Sequence, residues 1–476
     1  MHLSVFLAVL YFSEVSLKEL RSRNKINIMS ANPTNICNLE PSHNDNIRCF
    51  CTKDKYHHVS SAECWIFGVV TKDSFIWGLI VETQPYLSDF SIISSKNGEL
   101  SSIPKEFITK MIFLKNFTIT FGVIGAIGKF AFGNSTSIQR LKLAKNQIEH
   151  LDQFSISNLL SLNELDLSEN KIHTIPSVVF LNLPQLKLVR LNKNNISKVE
   201  DKAFAGLGNA LELDLSDNSI CDINNMTFFG LSKLKVIDLS ANRIIGLTSS
   251  IFLELWDVEE VYLDDNYIEF ISNRAFDGLR FLKTLSLRNN RLSRFPAGLF
   301  TSVFTLVHLD LSNNRLETLV FDSIEQFYNN LLHNGTIQLK GNRFSCDCRL
   351  DWVFVLHDKT AQDGIRKALE QLECSFYTEK IQPKDLVQDL VCSPGQPQAK
   401  GAQDEDEDNQ IRDLHDHGKL HLLTIPAKEL PCPPEYRPTP ITVKQGSPLG
   451  AEVMSSETGD VRAYCLIYIS VFTLFV

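Results

Sequence analysis

Cysteines, histidines and a regularly spaced set of charged residues are the groups in this 476-residue chain whose chemistry could carry function. Cys37, Cys49, Cys51 and Cys64 cluster toward one end, and Cys346, Cys348, Cys374 and Cys392 toward the other. Clusters flanking a long middle segment read as disulfide caps and place the chain in an oxidising compartment. A zinc site at Cys49-x-Cys51 with His57 and His58 is the rival, which that compartment disfavours. His415, His417 and His421 lie among acids and would suit a weak metal site, although a solvated linker explains them more simply. No metal or cofactor is expected. No G-x-S-x-G, H-E-x-x-H or glycine-rich phosphate loop occurs, so binding is expected rather than catalysis. A net charge of -9 and a pI near 5.8 argue against a nucleic-acid partner, which would call for a basic patch.

The charged residues recur within one pattern, L-x-L-x-x-N, whose asparagines are Asn146, Asn170, Asn194, Asn218, Asn242, Asn266, Asn290 and Asn314, a step of 24 residues each time. The paired leucines alternate with polar residues, as a short half-buried strand requires. The asparagine falls where the chain turns away, and its amide can bond the backbone of that turn and of neighbouring coils. Apolar residues follow at fixed offsets (Ile172 and Ile175 after Asn170), then an aromatic at Phe180, Phe204, Phe228, Phe252, Phe276 and Phe300. One such unit cannot bury its own apolar face, so the units must stack. This is a leucine-rich repeat. A weaker frame places Gly122 and Gly98 in the asparagine slot upstream, and Asn342 closes a last unit displaced by an insertion near 328–334. The expected fold is a horseshoe solenoid of about 11 coils over 93–342. Its parallel sheet forms the concave face, with loops and short helical turns on the convex face and disulfide caps at both ends.

The polar slots between the strand leucines point to solvent from the sheet and can carry binding information. Arg140, Lys142 and Lys145 are basic, Glu164, Asp166 and Glu169 acidic, and Arg190 and Lys193 basic again. An acidic stretch of Glu212, Asp214, Asp217, Asp238, Glu260, Asp264 and Asp265 follows, with Tyr262 inside it, and Arg288 and His308 come after. The candidate binding residues are Arg140, Lys142, Lys145, Arg190, Asp217, Tyr262, Asp264 and Asp265. Separate basic and acidic ends could pair with an inverted copy of the same face. Asp-Leu-Ser is also a common filler of such repeats, so single aspartates carry little weight.

Residues 1–16, with the apolar run Leu3–Phe12, read as a signal peptide. Residues 17–92 are expected to form the N-terminal cysteine cap and lead-in, with Ala62–Phe67 and Phe75–Trp77 as strands. Residues 343–392 are expected to form the C-terminal cap, and 393–462 an acidic, proline-rich stalk with the run Asp404–Asp408. Cys432 has no obvious partner, and Cys221, beside Ile220, reads as a buried thiol. Sequons at Asn116, Asn134, Asn195, Asn225 and Asn334 suit a secreted glycoprotein. The segment 463–476 is apolar but would cover only about 21 Å of a hydrocarbon core about 30 Å thick. It reads as the tail of a lipid-anchor (GPI) signal, with Gly450, Ser455 and Ser456 as attachment candidates. A truncated transmembrane helix is the alternative.

The run Cys346-Asp-Cys348-Arg-Leu-Asp-Trp352, followed by Cys374 and Cys392, resembles the cap that ends extracellular leucine-rich repeats. That resemblance implies bonds from Cys346 to Cys374 and from Cys348 to Cys392, with Trp352 packed under the cap. Together with the wide N-cap, the Cys432–Glu435 segment and the tail, the layout resembles the connectin-like, lipid-anchored adhesion molecules of insects. It implies an extracellular, cell-surface protein that binds a protein ligand on another cell, or itself. A secreted innate-immune recognition protein, or the ectodomain of a truncated receptor, is the alternative.

Overall fold

Alternation in the repeat unit becomes a sheet of 13 strands in the computed structural model, which describes residues 36–38, 46–376, 419–437 and 441. Apart from residue 441, these lie in one compact unit, 1–439. The strands are β1 (Ile47–Lys53), β2 (Val59–Ile66), β3 (Asp89–Ser94), β4 (Asn116–Thr120), β5 (Arg140–Lys142), β6 (Glu164–Asp166) and β7 (Leu188–Arg190). They continue as β8 (Glu212–Asp214), β9 (Val236–Asp238), β10 (Glu260–Tyr262), β11 (Thr284–Ser286), β12 (His308–Asp310) and β13 (Thr336–Gln338). Their spatial order is their chain order. β1 runs antiparallel to β2 and closes one edge, while β2 to β13 are parallel. Leu141, Leu165 and Val189 align across successive strands, so each apolar position continues into the next coil without slippage. The expected solenoid is thus observed.

Stacking leaves backbone groups of each turn between coils, out of reach of water, and the asparagines satisfy them. Asn242 Nδ2 donates to Leu239 O in its own coil at 3.0 Å and to Leu215 O in the preceding coil at 2.9 Å. Its Oδ1 accepts from Ile220 N at 3.0 Å. The same three contacts recur at Asn170, Asn290 and Asn342. The residue before each asparagine is left-handed, from Lys145 at φ 59° to Asn313 at φ 54°, which turns the chain out of the strand. On the convex side the phenylalanines form a buried stack, with centroids 5.9 Å apart for Phe252 and Phe276 and 6.3 Å for Phe276 and Phe300.

The first coils differ from the expected frame. β2 is already a coil strand, with Ala62 beside Phe90 and Cys64 beside Ile92, so twelve parallel strands are present among the described residues. Phe90 aligns with Phe117 and Ile92 with Ile119, which puts Ser95, not Gly98, in the asparagine slot. Helix α2 (Lys105–Lys110) lengthens that coil on the convex side and shifts the count. Phe75–Thr83 is helix α1 rather than a strand, with Ile76, Trp77 and Ile80 buried on one face. The insertion near Tyr328 is helix α3 (Phe321–His333), whose buried face includes Ile324, Phe327 and Leu331.

Both caps are disulfide-bonded. At the N-terminal end Cys37 pairs with Cys51 and Cys49 with Cys64. At the other end Trp352 lies buried in helix α4 (Asp351–Lys359), its indole N–H donating to Leu319 O at 2.7 Å. Cys346 pairs with Cys374 as expected, but Cys348 pairs with Cys432, not Cys392. The physical reason is a returning segment. Strand β14 (Phe344–Ser345) pairs with β15 (Glu373–Ser375), and β15 pairs with β16 (Leu420–His421). Leu422 N donates to Leu372 O at 2.8 Å, and Cys348 N donates to Pro431 O at 3.0 Å. Residues 419–437 therefore belong to the cap, although the sequence placed them in the stalk. Cys221 is half-buried and disulfide-bonded rather than a buried free thiol. Outside the described residues lie residues 1–16, Cys392, His415, His417, Gly450, Ser455, Ser456 and the tail 463–476.

Two measurements check this fold. Asn242→Ala strands two carbonyls and one amide, and should lower unfolding stability by about 3 kcal/mol, read by chemical denaturation. Peptide mapping without reduction should recover a Cys348–Cys432 link.

Candidate binding face

Two columns of side chains leave the strands toward solvent, and parallel register sets what each column contains. The column through the middle of the strands reads Lys142, Asp166, Arg190, Asp214, Asp238, Tyr262, Ser286 and Asp310. The column at the strand starts includes Arg140, Glu164, Leu188, Glu212, Val236 and Glu260. Adjacent strands lie about 4.8 Å apart, so neighbours within a column interact.

Across β5 to β7 opposite charges pair. Glu164 is bridged from both sides, by Lys142 at 3.3 Å and Arg190 at 2.8 Å. Although burial opposes ionisation, these two cations hold its carboxyl below the usual carboxylate range. Lys145 meets Glu169 at 3.7 Å, and Arg140 Nε donates to Asn116 Oδ1 at 2.7 Å. Lys142, Lys145 and Arg190 of the basic blocks and Glu164 and Glu169 of the acidic block are thus partners in lateral ion pairs. This was missed because the partners are one coil apart; reading the sequence in columns of 24 would have shown it.

Across β8 to β10 the charges accumulate. Glu212, Asp214, Asp217, Asp238, Glu260, Asp264 and Asp265 take part in no ion pair among the described residues. Burial pushes the Asp238 carboxyl up, and the charges of Asp214 and Asp217 add to the effect, against hydrogen bonds from Ser240. Asp264 is raised in the same way by burial and by Asp310 and Asp265, against bonds from Ser286 and Arg288. Tyr262 donates to Glu260 Oε2 at 2.7 Å, and burial with that neighbour pushes its hydroxyl up to about 12. Part of this acidity is structural: Asp214 Oδ1 accepts from Ser216 N at 3.0 Å and from its hydroxyl at 2.6 Å, and Asp166, Asp238 and Asp310 repeat the motif. Of the sequon asparagines, Asn134, Asn195, Asn225 and Asn334 are exposed, whereas Asn116 lies within β4 and donates to Asp89.

A raised carboxylate binds its proton more tightly in the folded than in the unfolded state. The stability contributed by protonation of Asp238 and Asp264 is therefore fully present below the unfolded pKa of about 4 and is lost as pH rises through their raised folded values. Asp238→Asn with Asp264→Asn keeps the acceptor oxygens. It should melt above the parent at pH 7, with the gap closing by about pH 4, as read by thermal unfolding at both values.

A family model described as leucine rich repeat matches residues 112–172, 136–192, 184–244, 232–292 and 257–316. Connectin of Drosophila melanogaster is 39% identical over 69 residues, which is 14% of this chain and 10% of that protein. Among solved structures, the TLR13–ssRNA13 complex aligns over 58% of this chain and 41% of that one, at 23% identity and a TM-score of 0.50. The Toll–Spatzle complex of Drosophila aligns over 66% and 54%, at 14% identity and a TM-score of 0.45. This chain thus spans well under two thirds of each of these proteins. With the repeat model matching through 112–316 and the asparagine ladder running through the same coils, this part of the chain folds as a leucine-rich-repeat solenoid.

Proposed function

We propose that this chain is an extracellular recognition protein, held at the cell surface, whose acidic strands β8 to β10 bind a protein ligand bearing a basic surface. The observation that carries this reading is the contrast along one sheet: Glu164 is bridged from both sides, whereas Asp238 and Asp264, raised mainly by burial, stand among further carboxylates that raise them too. Concentrated charge of one sign steers a partner of the other and suppresses like-charged ones. Disulfides at both ends of the coil stack support an oxidising, extracellular setting. The short similarity to Connectin supports adhesion or cell recognition over a catalytic role. Attachment through a lipid anchor rests on the sequence of 463–476 with Gly450, Ser455 or Ser456. Secreted immune recognition is the competing use of the same scaffold.

Self-binding is a narrower reading. It needs a basic surface on a second copy, and Lys142, Lys145 and Arg190 are partly spent on Glu164 and Glu169. Arg288 remains exposed at the end of the acidic stretch.

The test is display on normally non-adherent cells, mixed with differently labelled controls and with candidate partner cells. Recruitment of partner cells marks a separate ligand, and clusters of displaying cells alone mark self-binding. In either case Asp238→Asn, Glu260→Gln and Asp264→Asn together should reduce clustering about tenfold or more, while Lys142→Gln leaves recruitment of partner cells unchanged. Clustering that survives the triple neutralisation places the contact elsewhere. Release of surface protein by a phosphatidylinositol-specific phospholipase separates lipid anchoring from secretion.

A further inference from the structure

Each coil approaches its sheet strand through a short segment in which one buried residue fixes what its neighbours do. Leu114, Leu162, Val258 and Leu282 are buried two residues before β4, β6, β10 and β11. The two residues ahead of such an anchor, and the one after it, stand outward on the flank where the strands begin. Large apolar side chains occupy many of these outward positions. Tyr86 stands before β3, Ile112 and Phe113 before β4, and Leu160 before β6. Leu211 stands before β8, Trp256 before β10, Phe281 before β11 and Phe304 before β12. Their exposures run from 37% to 68%. Some rings are already ordered: His58 stacks on Tyr86 at 4.8 Å, and Tyr86 lies 5.6 Å from Phe113. Toward the other end the Lys235 ammonium lies 5.8 Å from the centre of the Phe281 ring.

The order of these residues along the stack has a centre, the coil of β7. On either side of it, β6 and β8 are each preceded by one exposed leucine. One coil further out both flanks are polar, with Thr136 and Ser137 before β5 and Ser232 and Lys233 before β9. The next pair, β4 and β10, carries Phe113 and Trp256, and the pair after that, β3 and β11, carries Tyr86 and Phe281. Outermost, exposed His58 precedes β2 and Phe304 precedes β12. In a two-fold contact, whatever one residue meets on the second copy must meet that residue's counterpart in return. Rotation about an axis through β7 lays β6 on β8, β5 on β9, β4 on β10 and β3 on β11. Leucine then meets leucine, polar coil meets polar coil, and ring meets ring.

The area suits the same partner. Eight side chains offering on the order of 100 Å² each at these exposures present about 800 Å² per copy, which is what a stable complex buries on each partner. That exceeds the apolar patch of about 300–600 Å² found on a typical monomer. We propose that this flank pairs two copies of the chain about a two-fold axis at β7, with Tyr86 and Phe113 of one copy against Phe281 and Trp256 of the other at both ends of the contact. The contact uses residues that precede the strands, so the acidic strands β8 to β10 stay open in both copies. Pairing therefore goes beyond ligand recognition: it doubles the recognition face and lets a multivalent partner bind with avidity.

The test uses the full chain and a short bis-maleimide, which joins only free thiols that lie close together. Gln185, exposed before β7, falls beside the axis in both copies. Gln185→Cys should therefore be joined to its own counterpart and run at twice the parent's mass on a denaturing gel, while the parent does not. Ser137→Cys and Lys233→Cys, on two differently tagged chains made together, should join to each other and neither to itself. Adding Trp256→Glu and Phe281→Glu should lower the Gln185→Cys product about tenfold or more. Phe121→Glu, equally exposed but at the end of β4, should leave it unchanged. Gln185→Cys that accepts a monofunctional maleimide but is not joined to itself, or that is joined to a polypeptide of another mass, overturns the proposal. So does Ser137→Cys joined to itself, or a product indifferent to the two glutamates in protein that melts normally.

Discussion

Every coil of a solenoid must turn between two neighbours, and its backbone amides and carbonyls are then sealed from water. Leaving one such group unsatisfied costs about 1–3 kcal/mol, repeated at every turn. A buried asparagine in each turn removes that penalty, because its amide offers donors and an acceptor together. From Asn170 to Asn314 each one ties its own strand leucine to a leucine 27 residues before the asparagine and to an amide 22 residues before it. Coil length is thereby fixed wherever the ladder is continuous. Extra residues must be looped out on the convex side, as α3 shows: the ladder bond from Asn342 spans 31 residues instead of 27, yet keeps its length of 2.9 Å.

That division of labour explains what could be read from the sequence. The asparagines, the strand leucines and the phenylalanine stack each perform one task in one slot, so repetition makes the pattern unmistakable. Three features resisted, for different reasons. The run Phe75–Thr83 is apolar almost throughout, so neither helical nor strand periodicity stands out, and Ile76, Trp77 and Ile80 share a face only once the helix is known. The coil containing β3 lacks an asparagine, and α2 lengthens it, so counting back by 24 lands on Gly98 rather than Ser95. The partner of Cys348 lies 84 residues away, beyond any local spacing rule, and a fourth cysteine in the usual cap position drew the pairing to Cys392.

The binding face was legible as composition but not as electrostatics. Which residues point outward follows from strand alternation; Arg140, Lys142, Arg190 and Tyr262 lie on the strands, whereas Lys145, Asp217, Asp264 and Asp265 lie in the turns that follow them. Whether a charge is cancelled depends on its neighbour one coil away, and that separates Glu164 from Asp238. Lateral pairing compensates Glu164 and Glu169 on the early strands, and exposed pairs of this kind add little stability. Among the described residues Glu212, Asp238 and Glu260 on the later strands have no such pair.

Charge and architecture are not independent there. Asp214 and Asp238 each accept the amide and hydroxyl of a serine two residues on, so the same oxygen that contributes negative potential also holds the exit of the strand. Replacement by lysine would remove both contributions and confuse lost binding with a loosened turn. Asparagine retains an acceptor at the same position and removes only the charge. Glu212 and Glu260 carry no such turn, since Glu260 accepts from Tyr262 instead. A recognition role resting on charge should therefore respond alike to neutralisation at Asp238 and at Glu260, whereas a purely architectural role would leave the two positions unequal.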